Sequence, residues 1–340
     1  MKSHRLLQLD ALKALAAQAI VLHHLSAYGP VADTVQTQWP QLIAWLYEHG
    51  RIAVQIFLVL GGYLAARSLS AERRPLLGLV QTRWLRLSLP FMAAVLITLV
   101  CYQLAAHWLP ELLPQSPLSA LQLLAHALLL HDVMGYEALT VGAWYVAVDL
   151  QLYVLLAMLL CWTRRRLAPW LTLGLVVASL GFFNLHAGWD RWALYFFGAY
   201  GMGALVWLWR EQPRSLLLGL LAVLSLTALW LDWRDRVALA GSTALLLALS
   251  QGRHWQAGPR LSAALAHLGQ HSYALFLIHF PVLLLVNTLF ERKSPEQPWM
   301  GLAALLGCWL LSNLAAVPFH RWVEQPASRL RWGLALPRRA

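Results

Sequence analysis

The sequence predicts an all-α polytopic membrane protein with about ten transmembrane helices, and three observations lead there. Of the 340 residues, 59% are hydrophobic and only 12% charged. Apolar runs near the roughly 20 residues a bilayer-crossing helix needs recur from end to end. The Lys and Arg behind the net charge of +11 sit in the gaps between those runs. That is a topology pattern rather than the basic face a nucleic-acid partner needs.

The first run, "LDALKALAAQAIVLHHL" from Leu9 to Leu25, follows a basic start and invites a signal-peptide reading. Asp10 and Lys13 interrupt its apolar core and no small-x-small cleavage site follows, so it reads as the first span, about 6–28. Further spans fall at about 50–69, 86–108, 143–162, 167–186, 191–209, 215–232, 236–250, 270–290 and 298–320, each bounded by charge, Pro or Gly. "LSALQLLAHALLL" at 118–130 has 13 residues, which fits a re-entrant or interfacial helix better than a span.

With the N-terminus inside, the inner segments hold Lys2 and Arg5, then Arg73, Arg74, Arg83 and Arg86, then Arg164, Arg165 and Arg166. Arg210, Arg214, Arg253 and Arg260 follow, with Arg321, Arg329, Arg331, Arg338 and Arg339 in the tail. The opposite side keeps Arg51, Arg191, Arg234, Arg236, Arg292 and Lys293, so the bias predicts N-in and C-in. Spans and loops account for residues 1–340 as a single transmembrane domain, with no soluble domain expected. Cys101, Cys161 and Cys308 lie in the spans without a CxxC pair and read as packing residues. No metal motif is present, because the span histidines lack HExxH-type spacing.

A charge at membrane depth costs upward of about 2.5 kcal/mol and commonly marks a pathway or a reactive site. Lys13 and His24 are eleven residues apart, about 20° off three full turns and about 16 Å along the axis, so they share a face. One reading is modest: Lys13 snorkels or pairs with Asp10, and His24 makes an interhelical hydrogen bond. The sharper one is a cation near the cytoplasm holding an anionic group, with an imidazole deeper in as base or nucleophile.

In "WYVAVDLQLYVL", Asp149, Gln151 and Tyr153 recur in apolar sequence, with Asp149 and Tyr153 on one face at i, i+4. Helical rise places Asp149 about 22 Å above the inner boundary, at the depth expected for His24. It could orient that imidazole or serve as a structural carboxylate. His279 precedes Pro281 by two residues, where a freed carbonyl and a bend are tolerated beside a cavity. An interhelical hydrogen bond is the equal alternative for that His. Arg83 and Arg86, at i, i+3, are either orientation charges or a fork for phosphate oxygens. Glu324 and Arg329 fall at the inner edge, where an exposed ion pair is expected.

Taken in order, these segments resemble the membrane acyltransferase-3 family of integral-membrane O-acyltransferases. Lys13 and His24 look like its Arg, ten residues, then His. "RIAVQIFLVLGGYLAARSL" is similar to its second-span stretch, "RWLR" at 83–86 to its Arg-x-x-Arg, "WYVAVDLQLYVL" to its Trp-Ser-Leu-x-x-Glu-x-Gln-Phe-Tyr, and "HSYALFLIHFPV" to its Ser-Tyr-x-x-Tyr-Leu-x-His-x-Pro. The match covers about 9–329, and the ordered set is more specific than any single motif. Lys13 for Arg, Gln55 for Asp, Gly61 for Ser, Tyr145 for Ser and Asp149 for Glu are departures. They bear on acceptor choice and on acid/base geometry.

The resemblance implies an acyl-CoA donor bound from the cytoplasm, with Arg83 and Arg86 near its phosphates, Lys13 in the donor pocket and His24 at the thioester. It implies transfer of an acyl group, with acetyl expected, to a hydroxyl of a glycan or lipid-linked acceptor; the topology makes the long outer segment, about 109–142, the expected place for that acceptor to be recognised. Asp149 would orient His24. By their location alone, Tyr63, Tyr153 and His279 are the candidate oxyanion donors, and Gln151, Tyr153, Tyr63 and Glu324 the candidate pocket residues. No tightly bound cofactor is expected, and a bacterial inner membrane is the expected setting. Two other readings stand beside this one. One is a transporter of a glycan or lipid-linked substrate, weakened by the lack of an internal repeat. The other is a degenerate member kept as a partner in glycan assembly.

Overall fold

The computed structural model describes residues 7–71, 75–163, 166–253, 257–293 and 297–330. No strand occurs among them. The helices are α1 (Leu7–Ala27), α2 (Pro30–Gln36), α3 (Pro40–Ile52), α4 (Val54–Ala71), α5 (Leu76–Ala105), α6 (Ala120–Ala127), α7 (Ala143–Trp162) and α8 (Ala168–Gly181). They continue with α9 (Ala193–Leu208), α10 (Arg214–Leu231), α11 (Asp235–Leu249), α12 (Pro259–Gln270), α13 (Ser272–Lys293), α14 (Pro298–Phe319) and α15 (Gln325–Arg329). A π-helical turn, His320–Glu324, joins the last two, just after Pro318 removes a helical N–H donor.

Among the described residues, seven helical stretches are long and apolar enough to cross a membrane. They are Pro40–Ala71, α5, α7, Ala168–Leu185, α10, α13 and Pro298–Arg329, and they make this a multi-pass membrane protein. Their outer faces are apolar, with Val100 62%, Leu226 66% and Trp230 84% exposed, which suits a lipid environment and not water. Three expected spans fall outside this set. At 16 and 15 residues, α9 and α11 are about 24 and 22 Å long, short of a hydrocarbon core of about 30 Å. α1 is long enough at 21 residues but carries Asp10 and Lys13.

Two boundaries move from expectation. α5 begins at Leu76, ten residues before the expected 86, so Arg83 and Arg86 lie inside a helix of 30 residues. The apolar stretch at 118–130 contracts to the 8-residue α6, with the Ser119 hydroxyl capping it by accepting from the Gln122 N–H. Of the orientation charges, Lys2, Arg5, Arg73, Arg74, Arg164, Arg165, Arg331, Arg338 and Arg339 lie outside the described residues.

The chain forms two compact units. The first comprises Met1–Val54, Ser88–Trp144 and Trp255–Ala327, and α1 packs there against α3, α12 and α13. Two glycines let neighbours reach its backbone. A Cβ on Gly50 would stand 2.6 Å from the Ala19 carbonyl oxygen, and one on Gly269 would stand 2.5 Å from that of Asp10. Between them, Gln18 fixes α1 to α14: its amide donates to Asn313 Oδ1 at 2.7 Å and its carbonyl accepts from Trp309 Nε1 at 2.7 Å. The chain turns out of α1 at Gly29, whose φ of +85° suits glycine. Asn287 Oδ1 of α13 then accepts from the Val31 N–H at 3.0 Å.

The second unit comprises Gln55–Leu87, Tyr145–His254 and Ser328–Ala340. α4 and α9 cross backbone to backbone, because added Cβ atoms on Gly62 and Gly203 would run into the Tyr200 and Val59 carbonyls. Ser179 Oγ of α8 accepts from the Gly198 N–H of α9 at 2.8 Å. α9 is thereby fixed on two sides, and Tyr200 is held fully buried.

Candidate functional site

In the first unit, α1 and α13 bring His24 and His279 together. His279 Nε2 lies 2.9 Å from His24 Nδ1, and the rings stack at 4.9 Å between centroids. His279 Nδ1 is 3.2 Å from the Leu275 carbonyl, one turn back along α13. A carbonyl only accepts, so Nδ1 carries the His279 proton and Nε2 is its lone-pair nitrogen. His24 must then donate from Nδ1, and its own Nε2 is left as the basic nitrogen. One backbone carbonyl thus sets two tautomers in series. In that arrangement His279 has no N–H to spare for an oxyanion, so it acts as the acceptor that holds His24.

His24 lines a cavity of about 570 Å³, together with His23, Tyr28, Tyr102, Phe280 and the segments around Glu111–Gln115 and Glu137–Trp144. That volume falls within the range of about 300–1,000 Å³ usual for small-molecule sites. Glu137 ties the two segments: its carboxylate accepts from the N–H groups of Gln115 at 3.1 Å and Ser116 at 3.2 Å, and from the Ser116 hydroxyl at 3.0 Å. His23, about 100° round the helix, accepts no part in the pair with His279. Its Nδ1 donates to the Tyr47 carbonyl at 2.7 Å.

Behind the loop, His126 is held by two bonds, Nδ1 donating to the Gln122 carbonyl at 2.8 Å and Nε2 accepting from the Leu139 N–H at 3.1 Å. His131 stacks on it at 4.2 Å, and neither of its ring nitrogens has a hydrogen-bond partner among the described residues. Burial, and then the proximity of His126, pushes the His131 imidazole down to about 3.

At the other end of α1, Lys13 is half-buried and within electrostatic reach of Glu324. The expected exposed ion pair of Glu324 with Arg329 is corrected here. Glu324 accepts from His320 Nδ1 at 2.8 Å, with only 18% of its side chain exposed, and Gln270 Nε2 meets the other His320 nitrogen at 3.1 Å. The π turn sets His320 and Glu324 side by side.

The second unit holds the other expected residues. Asp149, 4% exposed, accepts from Arg83 Nη2 at 2.5 Å. The Arg83 guanidinium carbon stands 5.3 Å over the Tyr153 ring, while Arg86 is exposed. Within the second unit the partner of Asp149 is thus a guanidinium, and within the first the partner of the His24 imidazole is another imidazole. A charged guanidinium offers a buried carboxylate more than a neutral ring does. A Cβ on Gly61 would sit 3.2 Å from the Tyr200 ring, so the small residue makes room for that ring beside the pair. Gln151 is structural: its carbonyl accepts from the Ala193 N–H at 3.0 Å and its amide donates to the Arg191 carbonyl at 3.2 Å, fixing the start of α9. Tyr63 is buried with its ring edge-on to Trp207 at 5.7 Å.

Residues 6–313 match the family model for an acyltransferase domain, of the acyltransferase-3 type. The chain belongs to that family. No curated protein and no solved structure gives a significant match. Membership makes the chain a membrane acyltransferase in general terms and covers both the Lys13–His24 stretch and the Arg83, Asp149 and His279 segments. Sequence reading missed Tyr28, Tyr102, Glu111, Glu137 and His320 in this acyltransferase. Only His320 had a local signal, its i, i+4 spacing from Glu324. The others are assembled by tertiary folding.

Proposed function

We propose that the chain is an O-acyltransferase that takes an acyl group, acetyl foremost, from cytoplasmic acyl-CoA and delivers it to a hydroxyl of a glycan or lipid-linked acceptor on the outer side. The His24–His279 pair, opening on a cavity of about 570 Å³, is the observation that carries this reading. His24 Nε2 removes the acceptor's hydroxyl proton as that oxygen attacks the thioester carbonyl. The C–O bond forms, the C–S bond breaks, and the proton passes from His24 to the departing thiolate. While His24 carries the extra proton, its Nδ1–H bond to His279 Nε2 becomes charge-assisted and strengthens. Transient acylation of the same nitrogen is the two-step version of this chemistry.

Lys13, in the first unit, supplies a cation for the anionic donor. Lys13 does so as a point charge, without the planar fork of Arg. Arg83 acts mainly as the counter-ion of Asp149. In this reading the whole chain works as one transmembrane domain in a bacterial inner membrane. It has ten spans, N-in and C-in, with α1, α9 and α11 completing the seven. The cluster of Arg210, Arg214, Arg253 and Arg260 on the proposed inner side supports that orientation.

The test is release of CoA and transfer of label from radiolabelled acetyl-CoA in membranes bearing the wild type or His24→Ala. Label should enter the outer glycan fraction only with the wild type. Equal label with both proteins overturns the assignment of His24.

A further inference from the structure

The walls of the cavity at His24 carry charge of one sign only. Glu111 and Glu137 line it, and no Lys or Arg does among its described lining residues. In a chain with a net charge of +11, that is a local reversal. Glu137 is fixed by the hydrogen bonds from Gln115 and Ser116, while Glu111 is exposed at the rim. Arg51 stacks on Tyr47 of its own helix, α3. It lies outside the lining, with its guanidinium 5.9 Å over the Tyr47 ring.

Polar groups suited to hydroxyls complete the wall. Thr140 lines the cavity with a buried Oγ1 that has no hydrogen-bond partner among the described residues. A buried hydroxyl without a partner costs free energy unless something supplies one. Tyr28 and Tyr102 supply flat aromatic surface tipped with hydroxyls.

We infer that this cavity is an acceptor subsite selective by charge. It takes an uncharged polyhydroxyl head, such as a neutral sugar ring, and Glu111 and Glu137 exclude acceptors bearing carboxylate or phosphate beside the reacting hydroxyl. The inference rests on the acyltransfer reading of His24 and adds the class of acceptor. Excluding the wrong partner by like charge is an established route to specificity.

Two probes of matched length test it, neutral cellotetraose and anionic tetragalacturonate, in two independent arms. In the first arm, direct binding to the purified full-length protein at low salt needs no donor. The neutral probe should bind at least about tenfold tighter, and Glu111→Lys should cut that ratio by about tenfold. Glu111→Gln should give an intermediate ratio. Equal or tighter binding of tetragalacturonate by the wild type, or a ratio unmoved by Glu111→Lys, overturns the inference, as does binding of neither probe.

The second arm follows label from acetyl-CoA into each probe in proteoliposomes. Label is expected in cellotetraose with far less in tetragalacturonate, and the reverse overturns the charge rule. Where the donor is not consumed although the neutral probe binds selectively, acyl transfer itself is refuted while the selectivity of the cavity stands.

Discussion

His24 and His279 share one hydrogen bond, 2.9 Å from Nδ1 to Nε2, and the Leu275 carbonyl 3.2 Å beyond it decides which way that bond runs. α1 and α13, the latter with Pro281 inside it, therefore cooperate to present one lone pair, on His24 Nε2. The arrangement orients the His24 imidazole through a second imidazole.

The two histidines should separate in kinetics. His24→Ala should lose about 10²–10⁴-fold in kcat, the usual contribution of a general base. His279→Ala should lose about 10–100-fold, as expected for a group that orients another, with donor KM little changed. Steady-state rates with acetyl-CoA check this. Equal losses in the two variants would place His279 in direct contact with the reacting atoms.

Arg83 and Asp149 should behave as a unit. Asp149→Ala strands a guanidinium whose side chain is 32% exposed, and a cost of about 2 kcal/mol or more is expected after allowing for that exposure. The double variant Arg83→Met with Asp149→Leu should recover most of it. Thermal unfolding in detergent measures both, and a double variant no more stable than Asp149→Ala argues against the pairing.

His131 should make the protein acid-sensitive. Its folded value is near 3, while the unfolded side chain titrates near about 6.5. As pH falls, the unfolded state takes up the proton first. The stability tied to the neutral ring is therefore complete above about 6.5 and lost progressively toward 3. His126 stacks on it and titrates in the same sense. His131→Phe keeps the stack and removes two buried nitrogens without partners, so it should be neutral or stabilising at pH 7.5 and should flatten the loss between pH 7.5 and 5. A large fall in melting temperature at pH 7.5 would show that the ring nitrogens are satisfied after all.

Lys13 should report on the donor alone. Lys13→Met is expected to raise the KM for acetyl-CoA about tenfold with a smaller effect on kcat, whereas Lys13→Arg should lower KM or leave it unchanged by adding a planar fork. Initial rates across donor concentrations decide the matter. A kcat effect without a KM effect assigns Lys13 to another step.

Much of the architecture was legible in the sequence because lipid imposes long apolar runs. α7, α10, α13 and α14 begin and end within a few residues of their expected limits. The shorter α9 and α11 were legible as helices, yet their lengths leave them below what composition alone requires of a span. Within the site, the common face of Lys13 and His24 follows from helical geometry. The choice of partners does not: Asp149 and His279 each offer an imidazole a plausible neighbour, and only packing decides between them. Helical wheels also say nothing of loops, so Glu111 and Glu137 went unread.

The two glycines that admit backbone to backbone, Gly269 at Asp10 and Gly50 at Ala19 and His23, grip α1 just ahead of Lys13 and again within the interval that runs from Lys13 to His24. That interval is therefore a fixed gauge. In the proposed reaction the donor is anchored at the first residue and cleaved at the second, so shortening the arm between phosphate and thioester should be tolerated far less than changing the acyl group. Deleting a single residue between 13 and 24 would swing the imidazole about 100° away and draw it back about 1.5 Å, spoiling the gauge while leaving every functional side chain in place.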